Sequence, residues 1–137
     1  MTGDDDQIRQ ILTTAKTIAV VGFSANPARP SHQVAAFLQR KGFRIVPVNP
    51  GLAGQTLLGE TVYADLKDIP MPVDMVDVFR SSDHVAGIMD EAIAIKAKVV
   101  WTQLDVIDEA AAEKGRAAGL TVVMDRCPAI EMPRLGL

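Results

Sequence analysis

Cysteine is almost missing: Cys127 is the single one in 137 residues. That excludes an internal disulfide and a cysteine-based zinc cluster, and it fits a reducing cytoplasm. An excess of basic charge is also lacking. Fourteen Lys and Arg face 17 Asp and Glu, a formal net charge of −3. A broad nucleic-acid footprint would need a basic face, so no nucleic-acid partner is expected. No stretch approaches about 18 consecutive apolar residues, so no membrane partner is expected either. The first apolar stretch is short and interrupted, and Asp4-Asp5-Asp6 carries the wrong charge for a signal peptide. Internal repeats, low-complexity segments and metal-ligating constellations are absent as well.

What is present is a globular balance, 48% apolar and 23% charged. A chain near this length buries about 68–70% of its unfolded surface, enough for a core without staples. A single domain over residues 1–137 is expected, with residues 1–7 mobile.

Strand-like and helix-like segments alternate. Ile8, Ile11, Leu12 and Ala15 follow helical spacing. Thr17 to Gly22 reads as a strand apolar on both faces. Ser31 is placed to cap a helix carrying Val34, Ala35 and Leu38, which Gly42 closes. A second strand spans 43–48, where Pro47 can give no ladder hydrogen bond. Residues 49–59 read as a connection, with a short strand near 61–63. Strands at 73–79, 98–102 and 120–124 then alternate with helices at 83–96 and 108–118. This order predicts an α/β, Rossmann-like, doubly wound fold: a mostly parallel sheet of five to six strands with helices on both faces. The third strand is expected to be much reduced, and ligands of such sheets lie beyond the carboxyl ends of the strands.

Those strand ends are rich in hydrogen-bond donors. They comprise Gly22-Phe23-Ser24-Ala25-Asn26-Pro27-Ala28-Arg29, Val48-Asn49-Pro50, Phe79-Arg80-Ser81-Ser82, Trp101-Thr102-Gln103 and Asp125-Arg126-Cys127-Pro128. A well-made arginine–phosphate hydrogen bond contributes about 1.5–3 kcal/mol, and a helix N-terminus about 0.3–1 kcal/mol for a nearby anion. Backbone N–H groups around Ser24 to Asn26 are candidates for the rest of an anion site. Each piece also has a plain structural explanation: Gly22 as a tight turn, Ser81 or Ser82 as a cap, Arg80 and Arg126 as solvated rim, Trp101 as core. Five donor-bearing ends on one edge make the stronger joint case for a phosphate ligand.

The glycine fingerprint of dinucleotide sites is missing, since only Gly22 is in place. The second strand ends in Val48-Asn49-Pro50, without the carboxylate that takes ribose hydroxyls. Both absences count against NAD. A nucleotide bearing a 3′-phosphate suits a neutral turn with arginines nearby.

The segments VVGFSANPARPSHQVAAFL, VPVNP, GETVYADLKDIPMPVDMVDVFR, VVWTQ and GLTVVMDRC occur in that order. Together they resemble the small single-domain CoA-binding protein family, itself similar to the CoA-binding domain that opens the succinyl-CoA synthetase alpha subunit. The resemblance covers about residues 10–131. It implies coenzyme A lying across the strand ends. The phosphates would sit near Gly22, Phe23, Ser24, Asn26 and Arg29, and the adenosine end near Val48, Asn49 and Pro50. Phe79 and Arg80 would face pantetheine or pyrophosphate, with Trp101, Gln103 and Arg126 on the same edge. Asp105 stands where the family commonly has a glycine, either capping the next helix or repelling an anionic ligand.

Chemistry beyond binding has little support. A complete acyl-CoA ligase needs a phosphorylatable histidine and a nucleotide-grasping domain. The chain offers only His32 and His84, each read within the first turn of a helix. Cys127, beside Arg126 at the ligand edge, is the best reactive candidate, because the cation would favour a thiolate. Mixed-disulfide formation with the CoA thiol and a small half-buried packing role are its two readings. Asp74 and Asp77 are read onto one strand face, with structural hydrogen bonds preferred over acid–base work. The expected function is binding of coenzyme A or an acyl-CoA without catalysis. A nucleotide-dependent enzyme of NAD type and an interaction protein that keeps the fold without a ligand are the alternatives. A homo-oligomer stays open.

Overall fold

The computed structural model describes residues 2–137. Five strands form one parallel sheet: β1 (Thr17–Val21), β2 (Arg44–Val48), β5 (Met75–Val78), β6 (Val99–Thr102) and β7 (Thr121–Val123). Their spatial order is β2-β1-β5-β6-β7. The chain therefore leaves β1 toward one edge and returns to pair β5 on β1's other side. That reversal makes the β1/β5 boundary the switch point of the sheet, where a crevice opens beyond the strand ends.

Both faces are covered, as strands apolar on both sides require. Ile18, Val20, Met75, Trp101 and Val123 pack under α1 (Thr2–Thr14), α2 (Pro30–Arg40) and α5 (Pro128–Arg134). Ala19, Val21, Val76, Val78, Val100 and Val122 pack under α3 (Val85–Ala94) and α4 (Glu109–Ala117). Pro47 is tolerated because β2 is an edge strand of the sheet. Gly42, at φ +100°, follows the end of α2, where a left-handed residue closes the helix.

Several expectations need correction. Helix α1 starts at Thr2, so the stretch expected to be mobile is largely helical, and Met1 lies outside the described residues. Its acidic first turn complements the positive helix end, and Asp5 pairs with Arg134 at 2.8 Å. Ser31 does not cap α2. Arg29 occupies the cap position, Pro30 starts the helix, and Ser31 is buried inside it. The reduced third strand is a single parallel bridge, Val48 to Tyr63. Before it, β3 (Thr56–Leu57) and β4 (Glu60–Thr61) form a small antiparallel hairpin where only a connection was expected. Leu58 and Gly59 turn it with φ of 53° and 74°, both positive as a tight two-residue hairpin requires. Helix α5 was not anticipated at all. Asp74 and Asp77 do not share a face, because an odd separation along a strand sends side chains to opposite sides.

Candidate functional site

Gly22 is the pivot of the carboxyl edge. Its φ is +86°, and a Cβ there would lie 2.7 Å from the Phe79 carbonyl oxygen and 3.0 Å from Arg80 Cδ. Glycine lets the ends of β1 and β5 close on each other. The amides of Gly22 and Phe23 both donate to the Val48 carbonyl, at 3.0 and 3.3 Å, tying β1 to β2.

Two clefts flank this pivot. The larger, about 690 Å³, lies between the 22–31 segment and the turn at Asn49, Gly51 and Leu52, with Phe79 at its side. The smaller, about 210 Å³, lies on the α3 side, where Val48, Pro50, Leu66 and Ile88 meet Arg80, His84, Asp65 and Glu91. Gly22 lines both.

The lips of the larger cleft are braced. Asn49 Nδ2 donates to the Phe23 carbonyl at 2.8 Å, while its Oδ1 accepts from Gly51 N at 2.8 Å. One amide side chain thus holds the first loop against the second. Ser31 Oγ accepts from Ser24 N at 3.0 Å, Ser24 Oγ from Asn26 N at 3.1 Å, and Asn26 Oδ1 from Ala28 N at 3.0 Å. His32 Nδ1 lies 2.8 Å from the Ser24 carbonyl, and its ring centroid is 5.1 Å from that of Phe23. The amides of Ser24, Asn26 and Ala28 are therefore already satisfied within the loop. The Arg29 side chain and the start of α2, Pro30 and Ser31, line the cleft beside them.

Arg29 and Arg80 are exposed, and among the described residues neither takes part in an ion pair. Arg80 folds back over Gly22, its guanidinium 3.0 Å from His84 Nε2. Glu91 in the smaller cleft has its carboxyl pushed up by burial and then by the charge of Asp65.

With this geometry in place, comparison with known proteins is decisive. A model of the CoA-binding domain matches residues 16–133. The chain belongs to the CoA-binding domain family. This CoA-binding domain is 40% identical over 121 residues to the protein YneT of Bacillus subtilis, covering 88% of each chain. It is 39% identical to the structure of cell-free ID.343 from Thermus thermophilus, with a TM-score of 0.91 over 96% of this chain and 98% of that one. It also resembles a dinucleotide-forming acetyl-coenzyme A synthetase from Ca. Korarchaeum cryptofilum, solved with phosphate and ADP. There the identity is 25% and the TM-score 0.69 over 86% of this chain, and the match spans 27% of that longer protein.

Within this CoA-binding domain, Gly22, Phe23, Ser24, Asn26, Arg29, Asn49 and Phe79 meet at the larger cleft, and Val48, Pro50 and Arg80 at the smaller. Phe23 is fully buried, so its ring is a floor. Trp101, Gln103 and Arg126 line neither cleft. Trp101 is core, with Nε1 donating to the Arg126 carbonyl at 2.7 Å. Gln103 is buried and donates from Nε2 to Asp77 Oδ1 at 2.6 Å. Arg126 Nη1 is held 3.0 Å from Glu131 of the unanticipated α5.

That ion pair also changes the reading of Cys127. Its side chain is buried, and burial pushes the thiol up, with the charges of Asp77 and Glu131 acting the same way against the amides of Ala129 and Ile130. The neighbouring Arg126 does not make it a thiolate. Asp105 does not cap α4, since Asp108 accepts from Ala111 N at 3.0 Å. Asp105 instead takes φ +67°, which explains why a glycine suits that position.

Among the residues sequence reasoning missed are Asp65, Leu66 and Glu91, which help to line the smaller cleft. Nothing local marks them. Asp65 precedes a 3-10 turn and Glu91 lies mid-helix, and the fold alone brings them beside Gly22. Among the described residues no helix is long and apolar enough to cross a membrane.

Proposed function

We propose that this chain binds coenzyme A or an acyl-CoA across the carboxyl edge of its sheet and performs no catalysis of its own. The observation that carries the reading is the pair of clefts joined at Gly22, each with an arginine that among the described residues is outside any ion pair. Arg29 and the N-terminus of α2 offer the larger cleft a cation and a helix dipole, the usual means of holding phosphate. The smaller cleft, where Val48, Pro50, Leu66 and Ile88 give apolar walls beside Arg80, His84, Asp65 and Glu91, takes the base. The pyrophosphate then crosses at Gly22, which lines both clefts, with Arg80 alongside.

The fingerprint glycines and the carboxylate after β2 are both lacking, which disfavours NAD. The two histidines are engaged locally, His32 with the Ser24 carbonyl and His84 with Arg80. The direct test is calorimetric titration of ligand-free protein with CoA, acetyl-CoA, ADP and NAD. CoA and acetyl-CoA should bind more tightly than NAD, and Arg29→Glu with Arg80→Glu should weaken CoA by at least tenfold while the circular dichroism spectrum holds. NAD binding best, or an unaffected double variant, would falsify the placement.

A further inference from the structure

Arg80 and His84 close on each other where the smaller cleft meets Gly22. Arg80 Nη2 lies 3.0 Å from His84 Nε2. A guanidinium only donates and keeps its protons, so Nε2 is the acceptor. The bond therefore exists only while the ring is neutral, with its proton on Nδ1. His32 is held the opposite way, because a carbonyl only accepts: its Nδ1 donates to the Ser24 oxygen at 2.8 Å. That bond survives a change of ring charge, whereas the bond at His84 does not. His84 is exposed and stands at the N-cap of α3 without a side-chain capping bond. The positive end of that 10-residue helix adds to the attraction for an anion. Asp83 stands beside the ring in the same turn, its carboxyl held down first by Ser81 Oγ and less by the charges of His84 and Arg80. Asp65, just before the 3-10 turn, and Glu91 of α3 line the same cleft. Burial, and then the charge of Asp65, push the Glu91 carboxyl up.

Building on the proposed CoA reading, we infer that His84 is a second phosphate ligand beside Arg80, and that binding charges its ring with a proton from solvent. In the free chain the Arg80 guanidinium gives an N–H to Nε2. A phosphate at Gly22 takes that N–H with one of its oxygens, and Nε2 is left without a donor. The ring then takes a proton on Nε2 and donates it to a second phosphate oxygen. The two charges of a pyrophosphate thus meet two cations, each through a charge-assisted hydrogen bond. Because binding takes up a proton, affinity rises as pH falls through the neutral range.

The experiment titrates the intact chain with CoA by calorimetry at pH 7 in two buffers of different ionisation heat, which counts the protons taken up. The parent chain should take up about 0.3 proton or more per CoA beyond His84→Gln, whose amide still accepts from Arg80. The 3′-phosphate of the ligand titrates too, and it is common to both chains. Between pH 8 and 6 the parent's affinity should gain on that variant's by about threefold or more. Glu91→Gln, whatever its affinity, should keep the uptake, which separates His84 from the other group able to take a proton here. Equal uptake in the parent and His84→Gln, or its loss in Glu91→Gln, overturns the inference and leaves CoA binding intact. No CoA binding by the parent overturns the CoA reading and this inference together. The chain has two histidines, so NMR reads the ring without any variant. At pH 7 saturating CoA should move the His84 Cε1 proton resonance toward its charged position, and a resonance that stays neutral overturns the assignment.

Discussion

A methyl group on residue 22 would lie 2.7 Å from the Phe79 carbonyl oxygen, closer than real contacts allow. The backbone there is also left-handed, which costs a non-glycine residue about 1–2 kcal/mol. Overpacking against a neighbouring strand adds about 1–3 kcal/mol more. Gly22→Ala should therefore lower unfolding free energy by about 2–5 kcal/mol in urea titration and part the two clefts. Loss of stability below 1 kcal/mol would mean that β1 and β5 are not so tightly apposed. Asp77 makes a second residue-scale test. It is fully buried beside Trp101, with Oδ1 on Gln103 and, among the described residues, Oδ2 without a partner. Burial pushes its carboxyl up to about 7, against the pull of Gln103. The folded chain thus keeps a proton that the unfolded chain has shed above about pH 4. The contribution is whole below pH 4 and is lost as pH rises through about 7, so stability falls across that window. Asp77→Asn carries no titrating group, so thermal unfolding from pH 5 to 8 should show a flatter slope than the parent chain. Equal slopes would place the titration elsewhere.

At the scale of elements, the parallel strands and their helices were legible because their apolar residues are periodic and turn residues separate them. Helix α5 was not, although it organises the far end of the edge. Pro128 begins it and Pro133 lies inside it, and proline so near a helix end reads as a stop. Missing α5 also hid Glu131, which is buried and takes both Arg126 and Arg134. That is why Arg126 looked free for a ligand. Gln103 looked free for the same kind of reason, since Asp77 claims it from 26 positions away. Strand ends look alike in sequence, and long-range partners decide which donors stay available. Glu131→Ala should expose this role. It strands Arg126 and leaves Arg134 with Asp5 alone, both arginines being about two-fifths exposed, so the loss should be about 1–2 kcal/mol, less than for a wholly buried pair. Amide exchange should quicken across α5 and leave CoA affinity unchanged. A loss of CoA affinity would bring Arg126 back into the site.

For the molecule as a whole, the sheet separates two ends with different work. The amino edge is tied together by structural bonds: Asp74 Oδ2 accepts from the amides of Lys16 and Thr17 at 2.9 and 3.0 Å, and Lys98 lies 3.6 Å from Oδ1. The carboxyl edge keeps two open clefts and two arginines that, among the described residues, have no carboxylate partner. A ligand that binds only the folded state stabilises the whole cooperative unit, even though its contacts lie at one end. CoA at a hundredfold its dissociation constant should add about 2.7 kcal/mol, a rise in Tm on the order of 10 °C for a domain this size. Hydrogen exchange should locate that gain. Protection beyond the global effect belongs to the 22–33, 49–54 and 80–91 segments, while amides around Asp74 and Lys98 change only through the shared unfolding equilibrium. The opposite pattern, with local protection at Asp74 and Lys98, would move the ligand to the cleft of about 230 Å³ at the amino edge. The two ends would then exchange roles.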